Sequence, residues 1–338
     1  MELTERSAQV LREIVDMYTR TGQPVGSKSL AETLPMSLSP ASIRNVMAEL
    51  EAQGLLMSPH TSAGRIPTEQ GFRFYARGLV EVGELNGRLK AELEQRIARA
   101  PTFDAAMQEV SRTLAHLSSC AGLVLAPRYD DARLQQMEFI RLGPDKALAV
   151  LVADNGKLEN RMIAVPPSLS DSELRAAADD LNRVVRGKTL AEAREHVVAA
   201  LRQQKLALDS LMDKFLMAPD ATDTALMVGG SQNLFGYPEL VRERLQSLFE
   251  VFEEKRLLIG LLDRVRQSDG IQVFIGAECP LEAARDCAMI TATYGTADKK
   301  VVGTLGVIGP MRMNYRQSIA LVDYTARLLG RVLDERLS

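Results

Sequence analysis

The stretch Ser39-Pro40-Ala41-Ser42-Ile43-Arg44-Asn45-Val46-Met47-Ala48-Glu49-Leu50-Glu51-Ala52-Gln53-Gly54 decides the fold of the first part of the chain. Ser39 offers a capping hydroxyl, and Pro40 stands at the first helical position, where its missing N–H is harmless. Ile43, Val46, Met47 and Leu50 recur at helical spacing and define an inward face. Gly54 supplies the left-handed stop. Upstream, Thr4 is placed to cap a helix that runs to Thr21, with Val10, Leu11, Ile14, Val15 and Tyr18 on one side and Gly22 at its end. Ser27 is expected to cap a second helix through Leu34, and Pro35 to Leu38 make a turn. Two helices joined by a short turn, the second with a polar leading end, form a helix-turn-helix pattern. Downstream, Leu55 to Thr68 reads as two short strands around the polar loop Pro59-His60-Thr61-Ser62-Ala63-Gly64-Arg65, which is a wing. Thr68 then caps a helix that carries Phe72, Tyr75 and Leu79.

The leading end of the third helix carries chemistry suited to a nucleic-acid groove. Small residues let a helix approach base edges closely. A guanidinium such as that of Arg44 matches guanine O6/N7, and an amide such as that of Asn45 matches adenine N6/N7. Ser39 and Ser42 can contact phosphate or bases, and helix N-terminal amides favour phosphate. Taken alone, the same residues describe a solvated polar helix end in any small domain. The loop around His60 and Thr61 ends in a cation, Arg65, which can lie against a phosphate backbone or in a minor groove. Taken alone, it is a plain hairpin tip. Arg73 and Arg77 lie one helical turn apart and either clamp phosphates or form a solvated face.

Composition narrows the class. The chain has 338 residues, 46% hydrophobic and 25% charged, which suggests two or three soluble domains. Its apolar runs are far short of the ~20 residues a membrane span needs, so no membrane partner is expected. The opening Met1-Glu2-Leu3-Thr4-Glu5-Arg6 has no basic segment followed by an apolar run, which predicts no signal peptide. Three cysteines without CxxC spacing and three scattered histidines predict no disulfide framework, no metal and no cofactor, and point to a cytoplasmic protein. A net charge of −3 argues against a nonspecific nucleic-acid binder and leaves room for a specific one, which needs cations only at the groove. Enzymatic signals are weak. Asp179-Asp180 and Glu253-Glu254 are neighbours that diverge on a helix, Cys279 precedes Pro280 with no histidine near in sequence, and Gly229-Gly230-Ser231 lacks the lysine and spacing of a phosphate loop. A non-enzymatic protein is expected.

The remainder reads as mixed α and β. Leu85 to Ala98 is a charged connecting helix, Phe103 to Leu117 an amphipathic helix, and Ala121 to Ala126 a buried strand. Met137–Leu142, Ala147–Ala153 and Glu159–Val165 form an antiparallel meander, joined by turns at Gly143-Pro144-Asp145 and Asp154-Asn155-Gly156. Ser170 to about Ala218 reads as helix, broken at Gly187-Lys188-Thr189 and near Ala207. A strand at Thr224–Val228 precedes helices at Glu239–Glu250 and Glu253–Gln267. Strands at Ile271–Ile275, Ala288–Tyr294 and Gly303–Ile308 precede a last helix from Tyr315.

Several stretches together are similar to the heat-inducible transcription repressor family, HrcA. They are Thr21-Gly22-Gln23-Pro24-Val25-Gly26-Ser27-Lys28, Ala41 through Glu51, Gly54-Leu55-Leu56, and the most specific, Pro59 through Thr68. Further matches are Gly229-Gly230 with Asn233, Ile275-Gly276-Ala277-Glu278, and Gly303 through Tyr315. The resemblance spans nearly the whole chain. It implies a multidomain α+β protein: a winged helix-turn-helix over 1–83, a connecting helix over 84–101, and a GAF-like α/β domain over 102–129 and 222–338. Into the last is inserted, over 130–221, a dimerising domain of a three-stranded antiparallel sheet plus helices. It implies a homodimer that binds an inverted-repeat operator in double-stranded DNA and represses chaperone operons, helped by a GroEL-type chaperonin and relieved on heat stress. On that reading Ser42, Arg44 and Asn45 read bases, while Ser39, His60, Thr61, Arg65 and Arg73 contact the backbone or seat the wing. The family commonly has Thr and Asp where this chain has Ser42 and Val46. Serine keeps the hydroxyl, whereas Val46 removes a charge from the recognition helix. Two other classes fit the same residues: a regulator with a small-molecule effector in the GAF-like domain, and an interaction protein whose winged helix binds protein.

Overall fold

In the computed structural model the first helix, α1 (Glu5–Thr21), begins where Thr4 accepts a hydrogen bond from Ser7 N and ends on left-handed Gly22. The structure describes residues 3–36, 38–60, 64–80, 83–126, 133–153, 158–189, 192, 226–266, 270–295 and 301–337. The second helix, α2 (Ser27–Thr33), starts one residue earlier than its sequence suggests. Gly26 is the cap, and no side chain fills that role, so Ser27 is helical and not a cap. The third, α3 (Pro40–Ala52), is capped by Ser39 and buries Ile43, Val46, Met47 and Leu50. Strands β1 (Leu56–Met57) and β2 (Ile66–Pro67) pair antiparallel, and Val25 bridges Arg65 as a third rung. Thr68 caps α4 (Glu69–Phe74), its hydroxyl also donating to Gly54 O at 2.6 Å. The helix then widens into a π-helical turn, Tyr75–Leu79, which the sequence pattern does not announce.

The chain divides into two compact units, one of Met1–Pro127 with Asp223–Arg336 and one of Arg128–Thr222. In the first, the winged helix is followed by α5 (Gly87–Ala98) and α6 (Phe103–Ser118). A five-stranded antiparallel sheet follows in the order β7-β3-β10-β9-β8, from β3 (Ala121–Leu125), β7 (Leu226–Gly229), β8 (Ile271–Ile275), β9 (Cys287–Gly295) and β10 (Val301–Pro310). Alternation of side chains along β3 sends Ala121, Leu123 and Leu125 into a core with α8 (Arg242–Glu254) and α9 (Arg256–Arg266). Gly122 and Gly229 face α6, where a Cβ on Gly229 would crowd the Ser111 backbone and one on Gly122 would overlap the Ser111 carbonyl. Their lack of a side chain lets the helix lie close on the sheet. The break between α8 and α9 falls at Lys255, not before Glu253, so Glu253 and Glu254 end α8. The last helix, α10 (Tyr315–Leu337), is tied to α6 by Gln317 donating to Leu117 O at 3.0 Å. Asn233 donates to Ala115 O and Cys120 O, both at 3.0 Å, and so closes the turn after Gly229-Gly230.

The second unit holds a meander of β4 (Leu134–Arg141), β5 (Lys146–Ala153) and β6 (Leu158–Ala164), with β5 central. The first strand starts three residues before its expected position, because Leu134 and Met137 are both buried around an irregularity in register. Helix α7 (Asp171–Val185) opens with a capping box of Ser170 and Glu173. It packs Leu174, Ala177, Leu181 and Val185 against Met137, Phe139, Ala147 and Leu151. Asn182 exchanges two hydrogen bonds with the Met137 backbone, at 2.7 and 2.9 Å, and satisfies an open edge of β4. The opposite sheet face exposes Ile140 and Met162, which pair through half-buried Leu148. The expected turn Asp154-Asn155-Gly156 and the helical stretch from 193 to Ala218 lie outside the described residues.

Candidate nucleic-acid interface

The leading end of α3 divides its polar residues between the cap and the solvent. The Ser39 hydroxyl accepts from Ser42 N at 3.1 Å and donates to Ser42 Oγ at 3.0 Å, so these serines stiffen the helix start. Ser39 is exposed and Ser42 half-buried. Arg44 and Asn45 are exposed, and neither side chain makes a hydrogen bond or ion pair among the described residues. Exposed Ala41 and Ala48 flank them, which leaves room for a close approach. The buried stripe on the other side of α3 prevents rotation, so a guanidinium and an amide stand side by side on a fixed, small-residue face. That is the arrangement that bidentate base reading requires.

The wing is held from behind. Val25 N donates to Arg65 O, and Arg65 N donates to Val25 O, both at 2.9 Å. A Cβ at Gly64 would overlap the Val25 carbonyl, so this approach requires glycine. The Arg65 guanidinium sets Nε 2.9 Å and Nη2 2.8 Å from Glu51 Oε2, with both side chains about a third exposed. In the free chain Arg65 therefore ties the wing base to α3. Met57, at 46% exposure, and His60 are exposed at the wing. Thr61 lies outside the described residues.

Arg73 stands apart from these residues. Its guanidinium pairs with Glu69, donates to Ile275 O at 3.3 Å and lies 3.7 Å from Glu278 Oε2. Arg77 pairs with Glu278 at 2.8 Å. The two arginines, for which the sequence leaves a phosphate clamp and a solvated face both open, are thus brought to the Ile275–Glu278 loop, because a carboxylate distant in sequence lies under that helix face. Lys28, in contrast, is an exposed cation on α2 without an ion pair among the described residues, and it was not singled out from sequence. Its signal was available, as a lysine in the first turn of the helix before the turn. All three thiols are buried, and burial pushes Cys120 and Cys287 up to about 12, so they are unreactive packing groups. Among the described residues no group of side chains has the makeup of a metal site, and no helix is long and apolar enough to cross a membrane.

Comparison with known proteins settles the family. A winged helix-turn-helix transcription repressor model, HrcA DNA-binding, matches residues 2–77, and an HrcA protein C-terminal domain model matches residues 104–319. The chain belongs to the HrcA family. Proteins named heat-inducible transcription repressor HrcA from Bradyrhizobium sp. (strain BTAi1) and Rhodopseudomonas palustris (strain TIE-1) are each 41% identical, over 98% of this chain and 95% of theirs. The one from Mesorhizobium japonicum is 42% identical over the same shares. A solved structure described only as a hypothetical protein shares the fold, with a TM-score of 0.62, 21% identity and full coverage of both chains. HrcA relatives are thus named as transcription repressors, a family of DNA-binding regulators and not of enzymes. The HrcA departure at Val46 falls on the core side of α3, where the residue is 4% exposed. It removes no charge from the exposed face of Arg44 and Asn45.

Proposed function

We propose that this chain represses transcription of chaperone genes by binding, as a homodimer in the cytoplasm, an inverted-repeat operator in their promoters. The observation that carries the reading is the exposed pair Arg44 and Asn45, without a side-chain partner among the described residues, on the capped leading end of α3 inside a matched DNA-binding winged helix. Arg44, Asn45 and Ser42 read base edges in the major groove. Ser39, Lys28, His60, Thr61 and Arg65 position the phosphate backbone, with Arg65 exchanging Glu51 for phosphate on docking. A two-fold dimer on an inverted repeat places one such helix in each half-site.

The proposed domains are the winged helix over 1–83, the connecting helix over 84–101, a GAF-like domain over 102–129 and 222–338, and an inserted dimerising domain over 130–221. The strand order β7-β3-β10-β9-β8, with helices on both faces, supports the GAF-like reading. The apolar sheet face with Ile140, Leu148 and Met162 supports a dimer contact in the insert. Assistance by a GroEL-type chaperonin, and release on heating as the chaperonin is drawn away, rest on family membership. A small-molecule effector finds less support. A groove of about 810 Å³ beside Tyr294 and Gly330 is open and edged by Lys90 and Arg327, each already paired with an acid, unlike an enclosed apolar pocket.

The test is a gel-shift titration of the full chain on an inverted-repeat duplex and on a single half-site, with and without chaperonin. Preference for the repeat at two chains per duplex supports repression through a dimer. Equal binding to both duplexes removes the dimer, and no gain in active fraction with chaperonin removes the feedback.

A further inference from the structure

The winged helix and the sheet domain of the first unit meet along one line of contacts with two distinct parts. One is aromatic. Tyr315, fully buried at the start of α10, lies edge-on to Tyr75 at 6.1 Å and tilted to Phe72 at 6.0 Å, and Tyr18 joins Phe72 at 6.2 Å. Tyr75 donates to Asp16 at 2.5 Å, and Arg316 lies 3.7 Å from the same carboxylate. Burial, followed by this carboxylate, holds the Tyr75 phenol neutral far above its ordinary range. This cluster, with Arg316 beside Asp16, anchors one end of the domain contact and serves as its pivot.

The second part is polar and directional. Glu69, Arg73 and Arg77 recur at four-residue spacing on one side of α4 and its π-helical extension. All three reach the loop Ile275–Glu278. Glu69 accepts from Ala277 N at 2.8 Å, Arg73 donates to Ile275 O at 3.3 Å, and Arg77 pairs with Glu278 at 2.8 Å. Gly276 is left-handed, and a Cβ there would overlap the Glu69 carboxyl, so the loop is shaped to receive this side chain. Glu278 Oε2 is buried, has no hydrogen bond among the described residues and lies 3.7 Å from Arg73 Nε, so one carboxylate faces two guanidinium groups. Half-buried Glu278 and its two guanidinium neighbours thus join the helix to the loop by directional contacts.

We propose that Glu278, acting through Arg73 and Arg77, is a positioning residue for operator recognition: it fixes the rotation of the winged helix about the aromatic pivot and thereby the half-site spacing the dimer accepts. The inference rests on the repressor reading and adds to it. A two-fold reader accepts only the spacing that its reading helices span, and each hinge in the path between them relaxes that demand. The latch removes one hinge. Arg73 and Arg77 are then domain ties, not phosphate clamps.

Two experiments on the full chain test it, with Glu278→Gln and Arg77→Ala as separate variants. The Arg77 side chain is 64% exposed, so its loss spares the core. In the first, anisotropy titrations use inverted-repeat duplexes whose spacer is lengthened or shortened by single base pairs. The wild-type chain loses affinity by about tenfold or more off the preferred spacing. Both variants flatten that profile to about threefold or less while binding an isolated half-site as the wild type does. In the second, spin labels at the exposed positions Lys28→Cys and Glu243→Cys report the distance between winged helix and sheet domain without DNA, with labelled chains diluted into unlabelled ones. The wild-type distribution is narrow, and the variants broaden it. An unchanged distance distribution in folded variants overturns the latch, as does a wild-type spacing profile in both. Absence of any inverted-repeat preference in the wild-type chain defeats the repressor reading instead, and the distance measurement still judges the latch.

Discussion

Replacing Gly64 with alanine tests whether the wing is locked to the helix-turn-helix by backbone contact. Gly64 does not adopt a left-handed φ, so the demand at this position is for space and not for conformational freedom. A Cβ would stand 2.9 Å from Val25 N and nearer still to its carbonyl, against backbone that cannot rotate away as a side chain can. The strand pair must part, and with it go the two 2.9 Å hydrogen bonds between Val25 and Arg65. Overpacking costs about 1–3 kcal/mol and each lost bond about 0.5–1.5 kcal/mol, so the sum is about 2–6 kcal/mol. Against a typical total of ~5–15 kcal/mol, that is enough to melt the wing base locally. The assay is thermal unfolding of the full chain together with hydrogen exchange at the Val25 and Arg65 amides. The expected result is a lowered midpoint and both amides exchanging as fast as loop amides. Unchanged protection at these two amides would refute the reasoning, whatever the midpoint does.

Asn45→Ala lowers operator affinity and relaxes base preference at one position per half-site, read by titrating operator variants; unchanged preference removes Asn45 from base reading. Glu51→Gln spares Arg65 the exchange of partner, so binding tightens on every sequence, whereas Arg65→Ala weakens binding on every sequence and flattens the log–log salt dependence by about 0.9. An unaltered slope means that Arg65 does not face the backbone. Cys120 and Cys287 have folded pKa values raised to about 12, above the unfolded value near 9, so their contribution to stability is fully present below pH 9. It falls as pH rises from 9 towards 12, by about 1.4 kcal/mol per pH unit for each thiol. Urea midpoints across that range check this, and Cys120→Ala with Cys287→Ala flattens the decline, apart from the part due to tyrosines.

Much of the architecture was legible because it rests on local signals. The Ser39-Pro40 cap, the buried stripe of α3, the Thr68 cap and the three-stranded meander each follow from residues within a few positions of one another. The exposed pair Arg44 and Asn45 was legible for the same reason, since the buried stripe determines what remains outside. What was not legible depends on distant partners. Arg77 finds Glu278 at a sequence separation of 201 residues, and no local periodicity distinguishes its helix face from a solvated one. The Arg65–Glu51 tie needs the wing folded back on α3. The π-helical turn at Tyr75–Leu79 follows no composition rule, and its side chains are placed by Tyr315 and Glu278 across the domain contact. At α2 the sequence misled, because Ser27 is a good cap that the chain uses as the first helical residue after Gly26.

The central claim is that the face carrying Arg44 and Asn45 reads an inverted repeat. The most direct measurement is equilibrium binding of the folded full chain to a labelled inverted-repeat duplex and to a scrambled duplex of the same composition, at two salt concentrations. The account predicts tighter binding to the repeat at both salts, two chains per duplex, and a loss of affinity with salt on both duplexes. Equal affinity for the two duplexes at both salts would contradict it.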